Sequence, residues 1–94
     1  MSIIATKQNW FIRHIDYLKR SEEASEDVDI LSYSVLRELN KLSDFNVIPD
    51  EINFDGIYRA VRRYFNKDND MAVYSIKKNR EEIGCVGYEF GICD

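Results

Sequence analysis

Val28, Leu31, Val35, Leu39 and Leu42 fall within one arc when the chain is wound at about 100° per residue, while Asp29, Arg37, Asn40 and Lys41 point elsewhere. A regular strand does not produce that spacing, because its side chains alternate with period two. The chain therefore contains an amphipathic helix from about Val28 to Leu42, and the rest of it must cover that stripe. Asp27 or Asp29 is placed to cap the helix by accepting from free backbone N–H groups, and Lys41 falls in the last turn, where the dipole favours a cation. With 94 residues in all, one domain spanning 1–94 and one core are expected. Hydrophobic residues at 45% and charged residues at 32% are globular composition.

Beyond the helix, Ser43 to Asn53 reads as a connector, since Pro49 lacks a backbone donor and pushes Ile48 out of helical geometry. The spacing predicts a second helix from about Phe54 to Phe65, capped by Asn53. On that winding Phe54, Ile57, Val61, Tyr64 and Phe65 gather on one side, and Asp55, Arg59, Arg62, Arg63 and Asn66 on the other. After the turn cluster Asn66 to Asp70, period two takes over. Met71 to Ile76 reads as a strand, Lys77 to Arg80 as a basic loop, and Glu82 to Ile92 as a returning strand with Val86, Tyr88, Phe90 and Ile92 on one face. Residues 10–20 fit either a helix aligning Phe11, Ile15 and Leu18 or two short strands, Trp10 to Ile12 and Tyr17 to Arg20. Ser21 to Asp29 reads as a solvated acidic loop. Tyr64, Phe65, Tyr88 and Phe90 are expected to pack in the core, with Trp10 and Phe11 anchoring the N-terminal segment to it.

Charge is unevenly spread. The net of −4 resolves into −5 over residues 1–58, +5 over residues 59–80 and −4 over residues 81–94. The basic stretch holds Arg59, Arg62, Arg63, Lys67, Lys77, Lys78 and Arg80 against Asp68 and Asp70. A uniformly basic, nucleic-acid-coating protein is excluded, but a local basic face is not.

The remaining chemistry is sparse. Cys85 and Cys93, eight residues apart in an extended segment, would lie about 26 Å from each other at roughly 3.3 Å per residue, too far for a disulfide, so reduced thiols are expected. One histidine, His14, and two distant cysteines do not assemble a zinc site, so no metal is expected. No Gly-rich phosphate loop, nucleophile elbow or Cys–His pairing has the spacing of a catalytic set, so no catalytic residues, no cofactor and a non-enzymatic role are expected. No apolar run approaches a membrane span, and MSIIATKQNW lacks the organisation of a secretory signal; a cytoplasmic protein without membrane association is expected.

Phe54 to Phe65 (FDGIYRAVRRYF) and Val86 to Phe90 (VGYEF) resemble the DNA-binding effector domain of OmpR/PhoB-type response regulators and their ToxR/CadC-like relatives. Members carry a recognition-helix pattern close to VDVHISRLRRKL and a final strand ending in GVGYRF. Asp55, Val61, Arg62, Arg63 and Phe65 match the first by position, and Val86, Gly87, Tyr88 and Phe90 the second. Leu31 to Leu42 looks like the family's first helix and Val47 to Ile52 like the stretch opening its second. The segment between the helices is too short for the family's positioning helix. The resemblance implies an α+β winged-helix domain, shortened, with N-terminal short strands or a helix, two main helices and a C-terminal β-hairpin.

Two functions follow as expectations. In the first, the chain is a small transcriptional regulator binding double-stranded DNA, with Arg59, Arg62, Arg63 and Asn66 facing the major groove and Lys67, Lys77, Lys78 and Arg80 holding phosphates, within a homodimer or alone. In the second, it is a degenerate winged-helix module that binds a regulator, polymerase or nuclease and modulates it, using its acidic surface.

Overall fold

The computed structural model describes residues 8–42, 44 and 46–92, Ile92 by its backbone alone. In chain order the elements are β1 (Gln8–Tyr17), α1 (Glu22–Asn40), β2 (Glu51–Asn53), β3 (Tyr58–Asn66), β4 (Met71–Lys78) and β5 (Glu81–Ile92). The five strands form one antiparallel sheet in the order β1-β5-β4-β3-β2. The chain enters at one edge as β1, crosses a single face of the sheet as α1, and drops into β2 at the far edge. From there it meanders back until β5 lies against β1.

This corrects the expected architecture. A winged helix with two main helices is not what the chain forms: it is mostly antiparallel sheet with one helix, and the segment read as a second helix, Phe54 to Phe65, is a turn followed by β3. The cause is a β-bulge. The β3–β4 register shifts between Arg62 and Tyr64, so Arg63 and Tyr64 together oppose Val73. The extra residue turns period two into the spacing Val61, Tyr64, Phe65, which imitates a helix. Asp55-Gly56 makes the turn, with Gly56 at φ +58, a conformation that favours glycine. The same device explains the ambiguity at residues 10–20. Residues 10–17 are neither helix nor two strands but part of one strand, β1, bulged between Ile12 and His14, and residues 18–20 lie beyond its end. The expected hairpin is present, with its turn at Asn79 and Arg80 rather than across Lys77 to Arg80.

The helix begins at Glu22, earlier than the apolar stripe suggests, so most of the expected acidic loop is its first two turns. Ser21 is the cap, its Oγ accepting from Ala24 N at 3.1 Å, and Glu22 and Glu23 sit where the dipole favours carboxylates. Ala24, Val28, Leu31, Ser32, Val35 and Leu39 form the buried stripe, and Leu42 lies beyond the helix, exposed. Against the stripe pack Trp10, Ala60, Ala72, Tyr74, Ile76, Ile83, Val86 and Tyr88. Both buried phenols find carbonyls: Tyr88 Oη donates to Ser32 O at 2.7 Å and Tyr74 Oη to Pro49 O at 2.6 Å. Burial raises both phenols, that of Tyr74 to about 12.

Two side-chain bonds hold the helix across the sheet. Tyr17 Oη donates to Asp29 Oδ1 on the β1 side and Tyr58 Oη to Asp27 Oδ2 on the β3 side. Each hydrogen bond to a carboxylate raises the pKa of its phenol. At the β1 edge, Asn40 acts as a short surrogate strand: Trp10 N donates to its Oδ1 at 2.7 Å and its Nδ2 donates to Trp10 O at 3.1 Å.

Candidate functional site

Strand register assigns every residue to one of two faces. On the covered face lie Trp10, Ile12 and Ile15 of β1, Ala60 and Phe65 of β3, Ala72, Tyr74 and Ile76 of β4, and Val86, Tyr88 and Phe90 of β5, all in or against the core. Among the described residues no element covers the opposite face. One register row runs across it through all five strands: Glu51, Val61, Ser75, Cys85, Asp16. Toward the β3–β4 turn the same face carries Tyr64, Met71, Val73 and Phe11, and toward the β4–β5 turn Arg59, Lys77 and Glu82.

The sequence-predicted basic residues divide between the two faces. Arg62 turns inward, its Nη2 2.5 Å from Asp50 Oδ1 and its Nη1 donating to Ile48 O at 3.2 Å. Lys78 also lies on the helix side, 5.7 Å from the Tyr58 ring centroid and 3.5 Å from Glu23 Oε1; Tyr58 first and Glu23 second raise its pKa. Arg59 stays on the open face but pairs with Glu51 at 3.6 Å, and Lys77 stands opposite Glu82 in register. Arg63 projects from the bulge with no ion pair among the described residues. Asn66 organises the β3–β4 turn, its Oδ1 accepting from Asp68 N and Asn69 N. Lys67 lies in that turn and Arg80 in the β4–β5 turn, at opposite ends of an eight-residue strand, about 26 Å apart at roughly 3.3 Å per residue. The eight residues do not converge on one surface.

What the open face gathers instead is a mixed-charge rim around an apolar middle. Arg13 pairs with Glu89 at 2.9 Å, and His14 Nε2 lies 2.8 Å from Asp16 Oδ1. Inside that rim sit Phe11, Val61, Met71 and Val73, all half-buried, and Tyr64, 47% exposed. Phe11 and Tyr64, expected in the core, therefore lie on the open face: Phe11 alternates with buried Trp10, and the extra residue at Arg63 brings Tyr64 to this side. Ser75, only 1% exposed, has an Oγ with no hydrogen-bond partner among the described residues. Cys85 is a free, half-buried thiol whose pKa is raised by burial first and by Glu82 and Asp16 next, which keeps it protonated at neutral pH. Cys93 lies outside the described residues, as do residues 1–7 of the N-terminal segment.

The signal for this face is in β4 itself. Met-Ala-Val-Tyr-Ser-Ile is apolar at both parities, the pattern of a strand covered on two sides. Among the described residues no group of three His, Cys, Asp or Glu is placed to hold a metal ion, and no helix is long and apolar enough to cross a membrane. Comparison with protein-family models, curated proteins and solved structures finds no match to this chain.

Proposed function

We propose that the chain is a protein-binding module that docks the open face of its sheet on a partner. The observation that carries this reading is that β4 presents Met71 and Val73 on a face that no element covers among the described residues. A central strand keeps apolar residues on both sides where both are to be buried. The rim supports a protein rather than a polyanion: Asp16, Glu51, Glu82 and Glu89 stand among Arg13, Arg59, Arg63 and Lys77, so phosphates would meet as many carboxylates as cations. Arg63, beside Tyr64 and without an ion pair among the described residues, is the feature that favours the other reading, double-stranded DNA.

The test is a quantitative co-isolation from the native host with the wild type, Val73→Glu and a helix-surface control, Ser34→Glu, beside a duplex titration at several salt concentrations. A stoichiometric protein retained by the wild type and Ser34→Glu and lost by Val73→Glu supports the proposal. Duplex affinity with a log–log salt slope of several, abolished by Arg63→Glu, replaces it with the DNA reading.

A further inference from the structure

A second surface lies on the helix side of the sheet. The turn joining β2 to β3 stands beside α1 and leaves a groove of about 160 Å³ lined by Asp27, Ile30, Leu31, Phe54, Asp55 and Tyr58. Its floor is firm. Leu31 is buried, Phe54 and Tyr58 pack against the core, and Tyr58 Oη is bonded to Asp27. The turn is held from both sides, by Phe54 N donating to Tyr58 O at 2.9 Å and Asn79 N donating to Ile57 O at 2.6 Å. Its lip is apolar and open to water: Ile30 is 64% exposed and Ile57, in the same turn, 43%. Two of the six lining residues are carboxylates and none is a cation. The helix beside the groove carries five acids from Glu22 to Leu36 and no Lys or Arg.

We propose that this groove takes one large apolar side chain from a partner protein segment in which that residue is flanked by Lys or Arg. The apolar side chain would cover Ile30, Leu31 and Phe54. The flanking cations would meet Asp55 on one lip and the Asp27 side of the helix on the other, where an acidic segment or a nucleic acid would be repelled. The groove and the open sheet face lie on opposite sides of the sheet, so the two proposals stand or fall separately.

The test uses the full chain, labelled with ¹⁵N, and three synthetic peptides: one with a Lys-Arg-Leu-Phe-Arg-Lys centre, one with Ser in place of Leu and Phe, and one with Glu in place of every cation. The first peptide is expected to shift the amides of Ile30, Leu31 and residues 54–58 and to bind about tenfold more tightly than either control. Ile30→Lys, at a position whose exposure leaves the fold unaffected and whose melting temperature verifies this, should weaken it about tenfold. Raising NaCl from 50 to 500 mM should weaken it several-fold. Equal binding of the Ser peptide means charge attraction alone, and equal binding of the Glu peptide means apolar contact alone. Either result, shifts confined to the open sheet face, or no binding at millimolar peptide overturns the proposal.

Discussion

Gly84 is where helix and sheet come closest, and a methyl group there tests the packing directly. A Cβ built on it would lie 2.7 Å and 2.8 Å from the two γ-carbons of Val28 and 3.1 Å from Asp16 O, about 1 Å inside ordinary carbon–carbon contact. Val28 is fully buried, and a β-branched side chain in a helix has one strongly preferred rotamer, so it cannot turn away. The helix must lift from the sheet. Overpacking of this kind costs about 1–3 kcal/mol, and the entropy that alanine saves in the unfolded chain returns less than 1 of it, so Gly84→Ala should lose about 2 kcal/mol. In a domain of this length that is a fall of roughly 8–16 °C in melting temperature, followed by circular dichroism and by Trp10, the only tryptophan. Val28→Ala alone removes two methyl groups and should also cost about 2 kcal/mol. In the double variant the new methyl occupies the space the old ones leave, so the loss should stay near 2 kcal/mol rather than reach 4. A Gly84→Ala protein as stable as the wild type, or a double variant whose losses add, refutes the close approach.

Three further outcomes follow. Tyr74 keeps its proton to about pH 12 when folded and to about 10 when unfolded; its contribution of about 3 kcal/mol is complete below pH 10 and lost as pH rises toward 12, so melting temperature should fall over that range and fall less steeply in Tyr74→Phe. Asn40→Ala leaves the Trp10 N–H and C=O without their side-chain partner, and should cost about 1–3 kcal/mol and speed hydrogen exchange at the Trp10 amide, while a control at exposed Arg37 does neither. Ser21→Ala should lose about 1 kcal/mol, read by urea denaturation, if Glu22 begins the helix; an unchanged midpoint would return residues 22–27 to a loop.

How much of this was legible varies with how local the deciding interaction is. The helix stripe was readable because Val28, Leu31, Val35 and Leu39 repeat at 3.6 residues without interruption. The β4–β5 hairpin was readable because Val86, Tyr88 and Phe90 keep period two past the glycines between them. The first two turns of α1 were missed because Glu22, Glu23, Glu26 and Asp27 look like solvated charge, and only Ser21 and Ala24 mark the helix. β1 and β3 were not readable from periodicity: in each a bulge inserts one residue, and the bulge is set by a partner strand distant in sequence, β5 for the first and β4 for the second. Asp55-Gly56, a strong hairpin signal, could have identified the turn before β3. The open face was hidden for the same reason, since Tyr64 changes sides at the Arg63 bulge.

The segmental charge takes on a different meaning in this fold. In sequence the basic stretch stands apart between acidic ends and reads as a footprint for phosphate. In the sheet, β3 and β4 are flanked by the acidic segments: β2 and the residue before it bring Glu51 to Arg59 and Asp50 to Arg62, β5 sets Glu82 and Glu81 opposite Lys77 and Lys78, and the first turn of α1 brings Glu23 to Lys78. Exposed pairs of this kind are worth roughly 0–1 kcal/mol each, so they do little for stability. Their physical effect is on register. A slip of one residue in β3 would move Arg59 and Arg62 to the opposite faces, away from Glu51 and Asp50, and would turn Ala60 out of the core. Pairing by charge thus selects the same register that burial selects, and of the seven cations in the stretch Arg63, Lys67, Lys77 and Arg80 have no ion pair among the described residues and remain for contacts with another molecule.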